Sequence, residues 1–174
     1  MTRPVEILPY DPQWAVAFSN LSTALSQKLG RLALRIEHIG STSIPGLASK
    51  PIIDLDVVVE TSHVNAAVQC LATIGYIHRG DLGIAGREAF SRESSAVPRV
   101  GDTRIWPEHH LYVCGEESPE LARHIRFRDQ LRANPVLMTE YAKLKYELAS
   151  RFKNDRQGYT DGKANFVKKI LTMP

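Results

Sequence analysis

The segment RIEHIGSTSIPGLASKPIIDLDVVVE, residues 35–60, carries the strongest strand and turn signals of this chain. Its second part, residues 52–59, is β-branched or aliphatic except at Asp54 and Asp56. This composition predicts a buried β-strand, and side chains on a strand alternate between its two faces. Asp54, Asp56 and Val58 are therefore expected to share one face of the strand.

Two carboxylates spaced i,i+2 in so apolar a strand repel each other, and both are costly to desolvate unless positive charge lies between them. A divalent cation that prefers oxygen ligands is the usual solution. We therefore predict that Asp54 and Asp56 bind Mg²⁺ (or Mn²⁺). The residues alone also allow a solvated pair of carboxylates at a strand end.

A glycine-serine turn, Gly40-Ser41, follows the short strand pattern of Leu34, Ile36 and His38. Such a turn offers backbone N–H groups and a hydroxyl to a phosphate, although a plain tight turn has the same composition. The chain contains no G-x-x-x-x-G-K-[ST] loop, no G-x-G-x-x-G motif and no G-x-S-x-G elbow. Together with the two aspartates, the turn predicts a site for a metal-bound polyphosphate.

This order of motifs, a Gly-Ser turn followed by an Asp-x-Asp strand, resembles the signature of nucleotidyltransferases of the DNA polymerase β type. The string EHIGSTSIPGLASKPIIDLDV, residues 37–57, resembles the GrpB-like family of that superfamily, which is also found fused to dephospho-CoA kinases. The similarity extends nearly end to end, through residues 10–14 (YDPQW), 127–129 (FRD) and 159–163 (YTDGK).

The resemblance implies an α+β fold with a mixed sheet of about five strands, helices packed on one side and a helical C-terminal third. Strand patterns in the first two thirds and helical patterns in the last third agree with it. At 174 residues the chain fits a single domain, residues 1–174, able to bury roughly 70% of its unfolded surface.

Active members of the superfamily carry a third carboxylate on a later strand, and no such acid is evident here. The strand pattern HHLYVC, residues 109–114, places His110 at that point. Imidazole accepts a proton or binds a transition metal, but it is a poorer ligand for Mg²⁺ than carboxylate. His110 is therefore the third catalytic candidate beside Asp54 and Asp56, and Glu88 and Glu93 are the acidic alternatives.

Basic groups are expected to neutralise the phosphates. Lys50 precedes the Asp-x-Asp strand and Arg87 lies on the following hairpin. The family resemblance adds further positions: Arg128, Lys145, Tyr159 and Lys163. Counted from the sequence, residues 119–174 carry 12 Lys and Arg against 6 Asp and Glu, although the whole chain has a formal charge of only +3. A basic segment beside an acidic one suits a polyanionic ligand. A basic helical face that is simply exposed to solvent would have the same charge composition.

The remaining predictions concern the cysteines, the cellular location and the helix boundaries. Cys70 and Cys114 lack the spacing of a metal-binding motif, so we predict two reduced thiols. No apolar run is long enough to cross a bilayer. We therefore expect a cytoplasmic protein without membrane contact. Helices are expected after Asp11-Pro12, after a Ser62 cap, from Pro119, from Asn134-Pro135 and after Thr160.

The leading functional prediction is a metal-dependent nucleotidyltransferase-like protein that acts on a nucleoside triphosphate or a related nucleotide cofactor, with an acceptor that the sequence does not identify. The alternative is a non-catalytic nucleotide- or CoA-binding module, which accords with the missing acid and the fusions to dephospho-CoA kinases. Nucleic-acid binding through the basic helices is disfavoured, because a pI near 8.9 is modest for that function.

Overall fold

A computed structural model of the chain describes residues 4–101 and 103–173. It contains five strands, β1 (Arg35–Ile39), β2 (Ile53–Val59), β3 (Tyr76–His78), β4 (Glu88–Arg92) and β5 (His109–Gly115). Its α-helices are α1 (Gln13–Leu29), α2 (Val64–Ala72), α3 (Pro119–Ala133), α4 (Pro135–Arg151), α5 (Arg156–Asp161) and α6 (Ala164–Thr172). The predicted α+β class and sheet size are confirmed.

The strands form one mixed sheet in the order β1-β2-β5-β4-β3. Strand β2 pairs antiparallel with β1 and parallel with β5. The remaining pairs are antiparallel. This order places β2 next to the edge strand, and its Asp-x-Asp segment lies between the Gly-Ser turn that follows β1 and the first residues of β5.

The alternation of β2 divides the protein into two sides. Ile53, Leu55, Val57 and Val59 are buried in a core shared with α1 and α2. The opposite face carries Asp54, Asp56 and Val58, and there Val58 packs with Cys114, Leu121 and Ile125, the last two from α3. The helical C-terminal third has its own core around Leu131, Tyr141 and Ile170, which also receives Ile44 and Leu47 from the loop before β2. The aspartates thus lie where the sheet meets the C-terminal helices.

Most helix boundaries follow the predicted caps. Asp11 Oδ1 accepts a hydrogen bond from Gln13 N at 2.9 Å, and Asn134 Oδ1 accepts from Val136 N and Leu137 N at 3.1 Å each. Satisfying these free N–H groups fixes where α1 and α4 begin.

Two predicted helix starts are wrong. Ser62 lies inside a 3₁₀ turn, Thr61–His63, and α2 begins at Val64 without a side-chain cap. The helix predicted after Thr160, with Asp161 in its first turn, begins only at Ala164 as α6. Thr160 and Asp161 instead end the separate helix α5, which Asp155 caps by accepting a hydrogen bond from Gly158 N. Within the described residues, no helix is both long and apolar enough to cross a membrane.

Candidate functional site

The first aspartate, Asp54, is fixed by its neighbours in the sheet. The register places it between Ile39 on β1 and His110 on β5, and His110 Nδ1 donates a hydrogen bond to Asp54 Oδ1 at 2.8 Å. Gly40 has φ +69°, and a Cβ atom on Gly40 would overlap Asp54 Oδ2. Because only glycine allows both this φ and this approach, the turn backbone lies directly against the carboxylate.

The second aspartate, Asp56, is fully buried and contacts α3. His124 Nδ1 donates to Asp56 Oδ2 at 2.7 Å, and the other ring nitrogen of His124 lies 3.2 Å from Glu120 Oε1. Burial raises the pKa of Asp56 despite the hydrogen bond from His124. Burial also opposes the charge of His124, but its two acidic partners raise its pKa overall. We assign the proton of this pair to His124, which orients the carboxylate and leaves Asp56 Oδ1 without a hydrogen-bond partner.

A cavity of about 380 Å³ opens beside Asp54, between the Gly-Ser turn and the C-terminal helices. Eight predicted site residues line it: Gly40, Ser41, Lys50, Asp54, His110, Lys145, Tyr159 and Lys163. They come from the turn after β1, the loop before β2, strands β2 and β5, helices α4 and α5 and the turn before α6. They are up to 123 positions apart, the interval from Gly40 to Lys163. The fold therefore brings most of the predicted site together.

Three lysines form the basic wall of this cavity. Lys145 is only 1% exposed, and its Nζ donates to Ser49 Oγ at 3.2 Å and lies 4.8 Å from the centre of the Tyr141 ring. Lys50 Nζ and Lys163 Nζ lie 5.1 and 4.6 Å from the centre of the Tyr159 ring. Aromatic faces support ammonium groups here, but none of these described lysines forms an ion pair within the described residues.

The pKa values of these three lysines are lowered by burial and by neighbouring positive charges. Burial, and then the charges of Lys163 and Lys50, lower the pKa of Lys145 to about 7. Burial and then Lys50 lower the pKa of Lys163 to about 8. Burial and then Arg156 lower the pKa of Lys50 as well. A polyanion entering the cavity would relieve this repulsion and restore the charged forms.

Two predicted phosphate-binding residues lie outside this cavity. Arg128 is a structural residue in this fold: its side chain is 11% exposed, and its Nη1 donates to Glu37 Oε2 at 2.7 Å and to the His38 carbonyl at 3.1 Å. Arg87 lines a neighbouring cavity and lies over the Tyr112 ring, 4.5 Å from its centre. Asp56 lines neither cavity, since its side chain is fully buried and bonded to His124.

Neither acidic alternative to His110 reaches the site. Glu88 accepts from His78 Nε2 at 2.5 Å, and Glu93 is paired with Arg99. Within the described parts of the chain, no three His, Cys, Asp or Glu side chains are grouped to hold a metal ion. Two carboxylates fit Mg²⁺ only if phosphate or water oxygens supply its other ligands, which is the usual arrangement for Mg²⁺ on a nucleotide. Asp54 lines the cavity and is the carboxylate that a Mg²⁺ ion in the cavity would contact, and the buried Asp56 keeps one carboxylate oxygen, Oδ1, without a hydrogen-bond partner.

Sequence reasoning missed two residues of this region. His124 follows Glu120 by four positions on α3, which places both on one helical face and was a usable signal. Arg156, in the first turn of α5, also lines the lysine cavity. Its position depends on the Asp155 cap, which the predicted helix boundaries did not include.

The five-stranded mixed sheet, with the Gly-Ser turn and the Asp-x-Asp strand beside the C-terminal helices, defines an α+β protein. The chain belongs to the GrpB family, since the family model described as GrpB protein matches residues 4–173. It overlays on the crystal structure of GrpB from Enterococcus faecalis with a TM-score of 0.79 and 35% identity, over 95% of this chain and 94% of that one.

Two curated relatives extend the comparison. The chain is 37% identical to protein YqkA of Bacillus subtilis over 95% of its own length, and it spans 46% of that protein. It is 27% identical to a dephospho-CoA kinase of Mycolicibacterium paratuberculosis over 90% of its length, and spans 42% of it. The chain thus spans less than half the length of both relatives.

A remote overlay also exists with a Cid1 poly(U) polymerase crystallised with a UTP analogue. Its TM-score is 0.42 at 16% identity, covering 90% of this chain and 48% of that one. An overlay of this quality carries no information about activity.

Proposed function

We propose that this GrpB-family chain binds a nucleoside triphosphate, or a related nucleotide cofactor, with the phosphates in the lysine cavity and a divalent metal at Asp54 and Asp56. The observation that carries the proposal is the placement of Lys50, Lys145 and Lys163 across one cavity from the Gly-Ser turn and Asp54. Buried ammonium groups at this density are unfavourable without a counter-charge, and a polyphosphate supplies several negative charges within the length of one cavity.

Each residue of the proposed site has a role that follows from its position in the cavity. Gly40 and Ser41 offer backbone and hydroxyl donors to the phosphates, and Lys145 and Lys163 neutralise the terminal phosphates from the opposite wall. Tyr159, which is 1% exposed, holds Lys50 and Lys163 on its ring and so fixes the distance between them. Asp54 and Asp56 would hold Mg²⁺ (or Mn²⁺), which when bound neutralises phosphate charge and orients the phosphates.

In the transferase form of this proposal, an acceptor oxygen bonds to the α-phosphorus while the bond to the bridging oxygen breaks. Pyrophosphate leaves with the bonding electrons, and the acceptor proton passes to water. Lys145 and Lys163 stabilise the leaving group because they already surround its position, so their contribution is electrostatic and needs no rearrangement. We place this activity in the cytoplasm, where two unpaired thiols, Cys70 and Cys114, remain reduced.

A second candidate is a nucleotide- or CoA-binding module without turnover. It is favoured by His110, which occupies the expected position of the third acid and already donates to Asp54. The similarity to a dephospho-CoA kinase points to CoA-like ligands for this version. Pyrophosphate release with a panel of hydroxyl and phosphate acceptors separates the two candidates: release supports the transferase, and binding without release supports the module.

The shared part of both candidates is tested by isothermal titration with a non-hydrolysable nucleoside triphosphate analogue, with and without Mg²⁺. We expect Mg²⁺ to tighten binding in the wild type, and Asp54→Asn to abolish that gain because it removes the accessible carboxylate charge. Glu147→Gln, which removes a carboxylate from an exposed position on α4, is the matched control. Equal affinities for wild type and Asp54→Asn, at each Mg²⁺ concentration, would refute the metal site.

A further inference from the structure

A second cavity of about 290 Å³ lies on the other side of Asp54. Four residues line both cavities and form the wall between them: Gly40, Asp54, Tyr112 and Phe127. Seven residues line only the second of these two: the polar Arg87, Glu120, Arg123 and His124, and the apolar Ile39, Val167 and Leu171. None of the three lysines of the first cavity reaches it.

One cation of this second cavity, Arg87, has no direct ion pair, although its charge acts to lower the pKa of the nearby Asp56. Arg123 is paired with Glu120 at 3.2 Å, and His124 contacts both Asp56 and Glu120. Arg87 forms no ion pair with any carboxylate in residues 4–101 and 103–173, and its Nε is buried without a hydrogen-bond partner. Its guanidinium is instead spread over the Tyr112 ring. A buried N–H without an acceptor is costly, so this position favours a ligand that supplies an acceptor oxygen, and the guanidinium charge favours an anionic one.

We propose that this second cavity binds a small anionic molecule, whose phosphate or carboxylate group contacts the Arg87 guanidinium and whose apolar part packs on Val167 and Leu171. A planar guanidinium that already stacks on an aromatic ring matches both oxyanion types in bidentate geometry. Arg87 is thereby assigned to a ligand different from the nucleotide phosphates that the sequence suggested for it.

The shared wall gives this ligand a role that rests on the proposed function. Asp54 contacts both spaces, so a hydroxyl group on the second ligand lies beside the phosphates that occupy the first cavity. The second ligand is then the acceptor of the transferred group, and acceptors are restricted to small anions. Extended nucleic acid does not fit a cavity of this volume with a single free cation.

The probe is phenyl phosphate, which combines an oxyanion with an apolar ring, and its affinity is measured by saturation-transfer NMR titration. The titrations use the whole chain, with and without a saturating non-hydrolysable nucleotide analogue and Mg²⁺. In a parallel set of titrations benzoate replaces phenyl phosphate, which distinguishes carboxylate from phosphate ligands. Arg87→Met keeps the aliphatic contact with Tyr112 and removes the charge. Arg79→Met, which removes an exposed arginine that bonds Ser91 from the adjoining strand end, is the control.

We expect phenyl phosphate or benzoate to bind beside the nucleotide analogue, and Arg87→Met to weaken that binding about tenfold, as loss of a charge-assisted pair does. Arg79→Met should leave it unchanged. Absence of binding, displacement by the nucleotide analogue, or wild-type affinity in a folded Arg87→Met variant would each overturn the second site. If the nucleotide analogue itself fails to bind while Arg87-dependent binding persists, the proposed function falls and the second site stands.

Discussion

Lys145 gives the sharpest test of the lysine cavity, because its buried ammonium links stability to pH. Its side chain is 1% exposed, and its pKa falls from an ordinary value of 10.5 to about 7. The unfolded chain therefore binds one more proton than the folded chain between these values. Stability attributable to Lys145 is complete above pH 10.5 and is lost as the pH falls toward 7.

The size of the effect follows from the two pKa values. One extra proton in the unfolded state makes the free energy of unfolding rise by about 1.4 kcal/mol for each pH unit. Between pH 7 and pH 9 the folded chain is half protonated at the lower limit and almost unprotonated at the upper limit, so the rise from Lys145 is about 2 kcal/mol. Lys145→Met removes the amine while keeping a similar length, and should be more stable than the wild type at pH 7.

The assay is urea unfolding of the wild type and Lys145→Met at pH 7, 8 and 9. The stability advantage of Lys145→Met should shrink by about 2 kcal/mol across this range, since other titrating groups are common to both proteins. Lys143→Met, at an exposed position on the same helix, should track the wild type at every pH. A constant difference between wild type and Lys145→Met would show that the amine does not carry this charge penalty, and would remove the main electrostatic reason for a polyanion site.

Three further predictions concern neighbouring parts of the site. Gly40→Ala should lower the free energy of unfolding by about 2 kcal/mol or more and abolish Mg²⁺-dependent nucleotide binding, because the added Cβ overlaps Asp54. Gly80→Ala is the control: Gly80 has a similar φ of +70° but open space around it, so the loss should be only about 1 kcal/mol. Urea unfolding measures the stability of both variants and titration calorimetry measures their nucleotide binding. Arg128→Met should lower the free energy of unfolding by about 2–3 kcal/mol, because its hydrogen bonds to Glu37 and His38 are lost. Nucleotide affinity should stay within twofold of the wild type. Loss of affinity without loss of stability would contradict the structural role of Arg128. Nucleotide affinity should fall as the pH rises from 7 to 9, because Lys145 and Lys163 lose their protons, and calorimetry in two buffers of different ionisation enthalpy should show proton uptake on binding.

Local patterns predicted individual strands and most helices because each strand or helix start has a nearby chemical cause, and the family resemblance predicted the mixed sheet. The apolar run of β2 and the cap at Asn134 are visible in adjacent residues. The failures have the same origin. The short α5 depends on the Asp155 side chain, and a turn precedes α2 where Ser62 was expected to cap it. Single capping residues are weak signals when several compete within a few positions.

The site was predictable where residues share a strand or a turn, and less so where distant segments meet. Asp54 and Gly40 were identified from motif and spacing, and Lys145 and Lys163 from the family resemblance. The contact of His124 with Asp56 joins residues 68 positions apart, which no local pattern contains. Arg87 and Arg128 show the converse. Charge suggested phosphate binding for Arg87 and the family resemblance suggested it for Arg128, whereas the fold pairs Arg128 with Glu37 and places Arg87 in another cavity.

The register of β2 and β5 bears on the choice between transfer and binding alone. Parallel pairing sets His110 beside Asp54 and Tyr112 beside Asp56, so β5 presents no acid to the aspartate face. Glu88 is held by His78 and Glu93 by Arg99, so neither is available without breaking an existing pair. If transfer occurs without a protein base, the acceptor proton leaves to water or to the acceptor's own anionic group, and rates should then depend strongly on the acceptor's acidity. A phenol should react faster than an aliphatic alcohol of similar size, and equal rates would instead require a base supplied by the protein.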